Sequence, residues 1–73
     1  MARIEINSGI TGSVWKITVT EGQRVAEDDT LMILESMKME IPIMATEDGI
    51  VKQILVQEGD VVTEGDVAII LEA

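Results

Sequence analysis

The 73-residue chain has no cysteine, histidine, phenylalanine or tyrosine, a single tryptophan and a single proline, and only five basic residues against fourteen acidic ones. Each absence excludes something. Without His or Cys there is no imidazole base, no thiolate nucleophile, no disulfide framework and no zinc site of the usual ligand types. The resulting charge of −9 at pH 7 argues against nucleic acid, whose phosphates are bound by Lys and Arg releasing condensed counterions. Anionic membrane surfaces are disfavoured for the same reason. Apolar runs such as Leu31 to Leu34 and Val67 to Leu71 fall far short of the ~20 residues a spanning helix needs. Arg3, Glu5 and Asn7 interrupt the N-terminal segment, which therefore lacks the apolar centre of a signal peptide. A soluble, cytoplasmic protein with no membrane partner is the expectation.

A chain this short makes one domain, spanning residues 1–73, and buries only roughly 60% of the surface its unfolded form exposes. A deep pocket enclosed by one subunit is not expected. With so few rings the core must be aliphatic. Eleven Ile and eight Val have restricted χ1 freedom that suits a pleated sheet better than a helix. Glu21-Gly22, Asp48-Gly49, Glu58-Gly59-Asp60 and Glu64-Gly65-Asp66 read as turns in which Gly supplies positive φ. Strands are predicted at Arg3 to Ile6, Val14 to Val19, Thr30 to Leu34, Ile41 to Met44, Ile50 to Val56 and Val67 to Leu71.

An internal repeat organises these pieces. A shift of 37 residues aligns Gly12 to Ser36 with Gly49 to Ala73 at 12 identities in 25 positions without a gap. It also pairs Ile4 with Ile41 and Ile6 with Ile43, giving half-repeats of about 2–36 and 39–73. Neither half is large enough to bury its own apolar face, so the two must pack together. The expected fold is all-β, a quasi-two-fold sandwich or flattened barrel. Its expected core is Ile4, Ile6, Val14, Ile17, Val19, Ile33, Ile41, Ile43, Val51, Ile54, Val56 and Ile70.

The joint between the halves, Ser36-Met37-Lys38-Met39-Glu40, breaks the local rules. A tight hairpin there would normally use Asn-Gly, Asp-Gly or Gly-X, because the favoured two-residue turns need positive φ. Two long apolar side chains instead flank a lysine at a position that should be exposed. A violation of turn chemistry in an otherwise consistent sequence marks a place to look for function. Two plainer readings compete. Leu, Met, Glu and Lys favour a helix over Thr30 to Glu40, capped by Thr30 and ended near Pro42; the repeat opposes it, since the matching Asp66 to Glu72 is rich in Val and Ile. Lys38 could also be an ordinary solvated lysine, but methionines on either side gain little from standing in water. The acidic clusters at Glu27-Asp28-Asp29 and Glu47-Asp48 lack calcium-loop spacing and read as solvated turns, so no metal site is expected. Trp15 is expected to pack in the core or at an edge, not to serve as a ligand platform.

Glu35-Ser36-Met37-Lys38-Met39-Glu40 resembles the attachment motif of biotin carboxyl carrier proteins and biotinyl domains, written Ala-Met-Lys-Met or Ser-Met-Lys-Met. The resemblance covers residues 3 to 72 and includes the lysine midway between the half-repeats, the Gly12 and Gly49 starts and the turns at Glu21-Gly22 and Glu58-Gly59. It implies a flattened β-barrel, or barrel-sandwich hybrid, with Lys38 at the tip of a protruding hairpin. It further implies that the Lys38 amine attacks biotinyl-adenylate on a biotin protein ligase, with Glu35, Ser36, Met37, Met39 and Glu40 as the hairpin recognised by that ligase. The attached biotin would then carry a carboxyl group from a biotin carboxylase to a carboxyltransferase acting on an acyl-CoA or 2-oxoacid. The chain itself would catalyse nothing. Gly9-Ile10 replaces the Pro-Met pair frequent in the family, and Ser36 replaces the commoner Ala. No thumb segment interrupts Val14 to Gly22, and no Ala/Pro-rich linker is present; both features resemble a free-standing carrier of the thumbless type, monomeric when isolated. The alternatives are a lipoyl carrier, although the Asp-Lys-Ala usual there is absent, and a non-covalent adaptor of the same fold docking through its methionines.

Overall fold

The structure, a computed structural model, describes residues 2–73. Eight strands follow in chain order: β1 (Arg3–Asn7), β2 (Gly12–Ile17), β3 (Arg24–Val25), β4 (Thr30–Ser36), β5 (Met39–Met44), β6 (Gly49–Ile54), β7 (Val61–Val62) and β8 (Val67–Glu72). They form two four-stranded antiparallel sheets, ordered β1-β8-β6-β3 and β5-β4-β2-β7. The molecule measures 36 × 18 × 17 Å. This is the expected all-β, flattened barrel-sandwich, and the helix over Thr30 to Glu40 is not formed. Strand β4 occupies that stretch, locked on both sides by β2 and β5, so tertiary pairing overrides helix propensity.

The repeat is reproduced in the hydrogen-bond register. Ile4 pairs with Leu71 as Ile41 pairs with Leu34, and Gly49 pairs with Val25 as Gly12 pairs with Val62. Side chains follow the same rule: the Ile17 N–H donates to Glu58 Oε2 at 3.0 Å, and the Ile54 N–H to Glu21 Oε2 at 2.9 Å. The Glu-Gly turns thus have two roles. Gly22 and Gly59 take φ values of +91° and +95°, while the glutamate before each reaches across to the other half and closes a backbone donor. Gly49 departs from the expected turn role. It opens β6, and a Cβ on it would lie 2.9 Å from the Glu72 carbonyl oxygen, as one on Gly12 would lie 2.8 Å from that of Glu35. Close approach of two backbones, not positive φ, excludes a side chain at these two sites.

Of the expected core, Ile6, Val14, Val19, Ile43, Val51 and Ile70 are buried, and Ile4, Ile17, Ile54 and Val56 pack against the core from half-buried positions. Ile33 and Ile41 are also only half-buried. Leu31, Met32, Leu34, Ala68, Ile69 and Leu71 take the innermost places. Bulges explain the difference. The β4–β5 ladder skips Leu31 and the β8–β1 ladder skips Ala68, so strict alternation breaks and consecutive residues of β4 and β8 both reach the interior. A second pair of bulges lies at Trp15 in β2 and Lys52 in β6. Trp15 is 50% exposed, so the core contains no aromatic ring. The two-residue strands β3 and β7 were too short for any periodic signal.

Candidate functional site

Strands β4 and β5 pair from Thr30↔Met44 to Ser36↔Met39, and the only residues left between them are Met37 and Lys38. Both have positive φ, +51° and +65°, as a primed two-residue hairpin requires. The turn is therefore of the Asn-Gly kind, built from residues that resist it: a left-handed conformation costs a side-chain-bearing residue roughly 1–2 kcal/mol. The long β4–β5 ladder fixes this geometry and holds the strain.

The tip projects its side chains into solvent. Met37 is 92% and Met39 61% exposed, and Lys38 is exposed between them. Among the described residues the ion pairs are Arg3–Glu5 at 3.5 Å and Lys52–Glu72 at 3.0 Å; Lys38 is engaged in neither. Glu35 and Glu40 face each other across the ladder one step below Ser36↔Met39. All six residues of the expected hairpin thus stand together, Ser36 half-buried and the rest exposed. Behind them β2 passes so close that Gly12 can carry no side chain, which braces β4 just before it turns. The arrangement offers one sterically open primary amine on a rigid mount, with an apolar side chain on either side.

A shallow groove of about 440 Å³ runs between the edge strands β1 and β5, lined by Ile6, Ile10, Ile41, Pro42, Ile43 and Met44 among others. Lys38 and its flanking methionines do not border it. Glu5 is its only ionisable side chain, so it brings no pair of acids together. Among the described residues no cluster of three acidic side chains is arranged to hold a metal ion. The surface position of Trp15 escaped sequence reasoning; its signal lies in a mismatch between the repeats, tryptophan in one half against Lys52 in the other.

Comparison with known proteins places this geometry. A family model described as biotin-requiring enzyme matches residues 5–71. The biotinylated protein TB7.3 homolog of Mycobacterium leprae is 42% identical over 52 residues, covering 71% of this chain and 73% of that protein. The biotin/lipoyl attachment protein of Bacillus subtilis is 48% identical over 49 residues, 67% of each chain. In three dimensions the chain superposes on part of the urea carboxylase of Kluyveromyces lactis with a TM-score of 0.93 and 33% identity, covering 99% of this chain and 6% of that one. Eight strands in this order, the hairpin between the two halves and the match over residues 5–71 lead to one conclusion: the chain belongs to the biotin/lipoyl attachment family of biotin-requiring enzymes.

Proposed function

We propose that the protein is a biotin carrier and that the Nζ of Lys38 is its attachment point. The observation that carries this reading is the turn itself: an exposed lysine, fixed with positive φ between two exposed methionines, at the joint of the two halves. The residues fit the group. A biotin protein ligase needs an amine that can enter its active site, and Lys38 stands at the tip, in neither of the ion pairs found among the described residues. The neutral amine attacks the activated carboxyl of biotinyl-adenylate, an amide forms, AMP leaves and a proton passes to solvent or to the enzyme. Rigid strands on both sides limit the orientations the amine can take, which lowers the entropy cost of attack. Met37 and Met39 offer adaptable apolar contacts, and Glu35, Ser36 and Glu40 complete the hairpin the ligase reads.

Once attached, biotin supplies a ring nitrogen that accepts and releases a carboxyl group, the hard chemistry residing in the cofactor and in partner active sites. The chain contributes the mount: an amide-linked tether on an inert β-barrel, passing between a biotin carboxylase and a carboxyltransferase of the acyl-CoA or pyruvate carboxylase type. Relatives that support this include the biotin-dependent acyl-coenzyme A carboxylase alpha3 subunit of Mycobacterium leprae, 40% identical over 52 residues that make up 9% of that protein. Incubation with a biotin protein ligase, biotin and ATP, read by intact mass, tests the proposal. One biotinyl group on the wild type and none on Lys38→Arg is the expected result; no mass gain, or a gain surviving the substitution, overturns it. Lipoate is the second reading, favoured by the likeness to the biotin/lipoyl attachment protein of Bacillus subtilis. Preferential acylation by a lipoate ligase would establish it.

A further inference from the structure

The two sheets match in backbone register, so each place where their surfaces differ isolates what one end of the molecule does and the other does not. Four of the five basic residues lie in such places, Lys16 standing where the other copy has Gln53. Arg3, Arg24 and Lys52 correspond, at the 37-residue offset, to Glu40, Val61 and Trp15. In the β1-β8-β6-β3 sheet Glu72 is paired with Lys52 at 3.0 Å and stands across the ladder from Arg3. In the β5-β4-β2-β7 sheet its counterpart Glu35 has Trp15 in place of the lysine and Glu40 in place of the arginine. The hairpin sheet has therefore exchanged three cations for an exposed ring, an exposed valine and an unpaired carboxylate. Trp15 is 50% and Val61 75% exposed, and the two lie close together: Val61 pairs with Ser13, and the Val14 N–H donates to the Asp60 carbonyl.

Burying Trp15 would have been favourable had the fold alone been at stake, since a large ring gains most from leaving water. Alternation along β2 from the buried Val14 instead points it outward. Trp is among the side chains enriched where a few residues carry most of the binding energy of an interface. Its surroundings are acidic, with Glu35, Glu40, Glu58 and Asp60 on the neighbouring segments and Lys16 as the adjacent cation. We infer that Trp15 and Val61 form a second docking point, beside the hairpin, for the ligase that acts on the bare Lys38 amine, and that it takes an apolar pocket rimmed by Lys and Arg on that enzyme. The inference rests on the biotin reading. It selects the ligase over the carboxylase subunits by reach. An enzyme acting on the unmodified amine must sit directly on the hairpin and on the surface next to it, whereas the tether that attachment creates lets later partners work at a distance. Trp15 lies two residues along β2 from Ser13, which pairs with Glu35, so it is roughly 10–15 Å from the tip at ~3.3 Å per strand residue. A protein footprint of about 800 Å² covers both.

Steady-state biotinylation of the intact chain by a purified biotin protein ligase, with carrier concentration varied at saturating biotin and ATP, tests the inference. Trp15→Lys and Val61→Arg each install the residue of the mirror position, where the fold already accepts it; Lys52→Ala is the control at that mirror site. Expected are a KM raised about tenfold or more by either substitution with kcat within twofold, an unchanged KM for Lys52→Ala, and a wild-type KM that rises with salt. Circular dichroism melts, with Trp15→Leu as the variant closest in apolarity, confirm that the proteins compared are folded. An unchanged KM in folded Trp15→Lys and Val61→Arg overturns the docking point while leaving the biotin reading intact; failure of the wild type to be biotinylated at all overturns the biotin reading instead.

Discussion

Glu35 and Glu40 stand directly opposite each other in the β4–β5 ladder, whereas their counterparts in the other sheet, Glu72 and Arg3, place opposite charges across the β1–β8 ladder. Like charges across a ladder destabilise by a few tenths of a kcal/mol up to about 1 kcal/mol. The hairpin sheet keeps this cost. Glu40→Arg, which installs the mirror residue, is expected to raise the urea midpoint by an amount of that order and to slow biotinylation of Lys38. A variant both more stable and biotinylated as fast as the wild type would deny the pair a recognition role.

The turn stores strain of its own, because Met37 and Lys38 both hold positive φ. Replacing the pair by Asn-Gly, the sequence the turn geometry favours, should stabilise the protein by about 1 kcal/mol. Urea unfolding measures it. A decrease in stability would mean that the methionine and lysine side chains contribute packing that their exposure argues against.

Backbone crowding makes a sharper distinction among the glycines. Gly12→Ala and Gly49→Ala force a Cβ against a carbonyl oxygen at 2.8 and 2.9 Å, while Gly9→Ala meets nothing within 4 Å. The first two should each cost roughly 2 kcal/mol or more and the third little. Thermal melts of the three variants read the order directly, and equal losses would contradict it.

Much of this was legible beforehand, and the reasons differ from element to element. The half-repeat at an offset of 37 carried the topology, because identities such as Glu21/Glu58 and Gly22/Gly59 fall where a carboxylate of one half closes a backbone donor of the other. The hairpin was legible as a conflict between turn chemistry and the residues at 37 and 38. Hidden from the sequence was the interior order of β4 and β8. An extra residue at Leu31 and at Ala68 changes which side chains point inward, and a bulge leaves no mark on an apolar run. Trp15 differs from the expectation set by its size because it follows the buried Val14 on β2, and alternation puts it on the outer face.

Solvent access also ranks the four described methionines chemically. Met37 is 92%, Met39 61%, Met44 46% and Met32 0% exposed. Dilute peroxide, which converts a thioether to the sulfoxide and is itself reduced to water, should oxidise them in that order, with Met32 protected until the protein unfolds. Peptide mass mapping over a time course follows each site. Early oxidation of Met32 would contradict the packing described.

The most direct test of the central claim is a tryptic digest of the protein purified from its own host. Acylation of Lys38 removes its positive charge and blocks cleavage there, so the account predicts one uninterrupted peptide of residues 25–52, bounded by Arg24 and Lys52, carrying a single biotinyl group. Cleavage after an unmodified Lys38, or a lipoyl group on the same peptide, would contradict it.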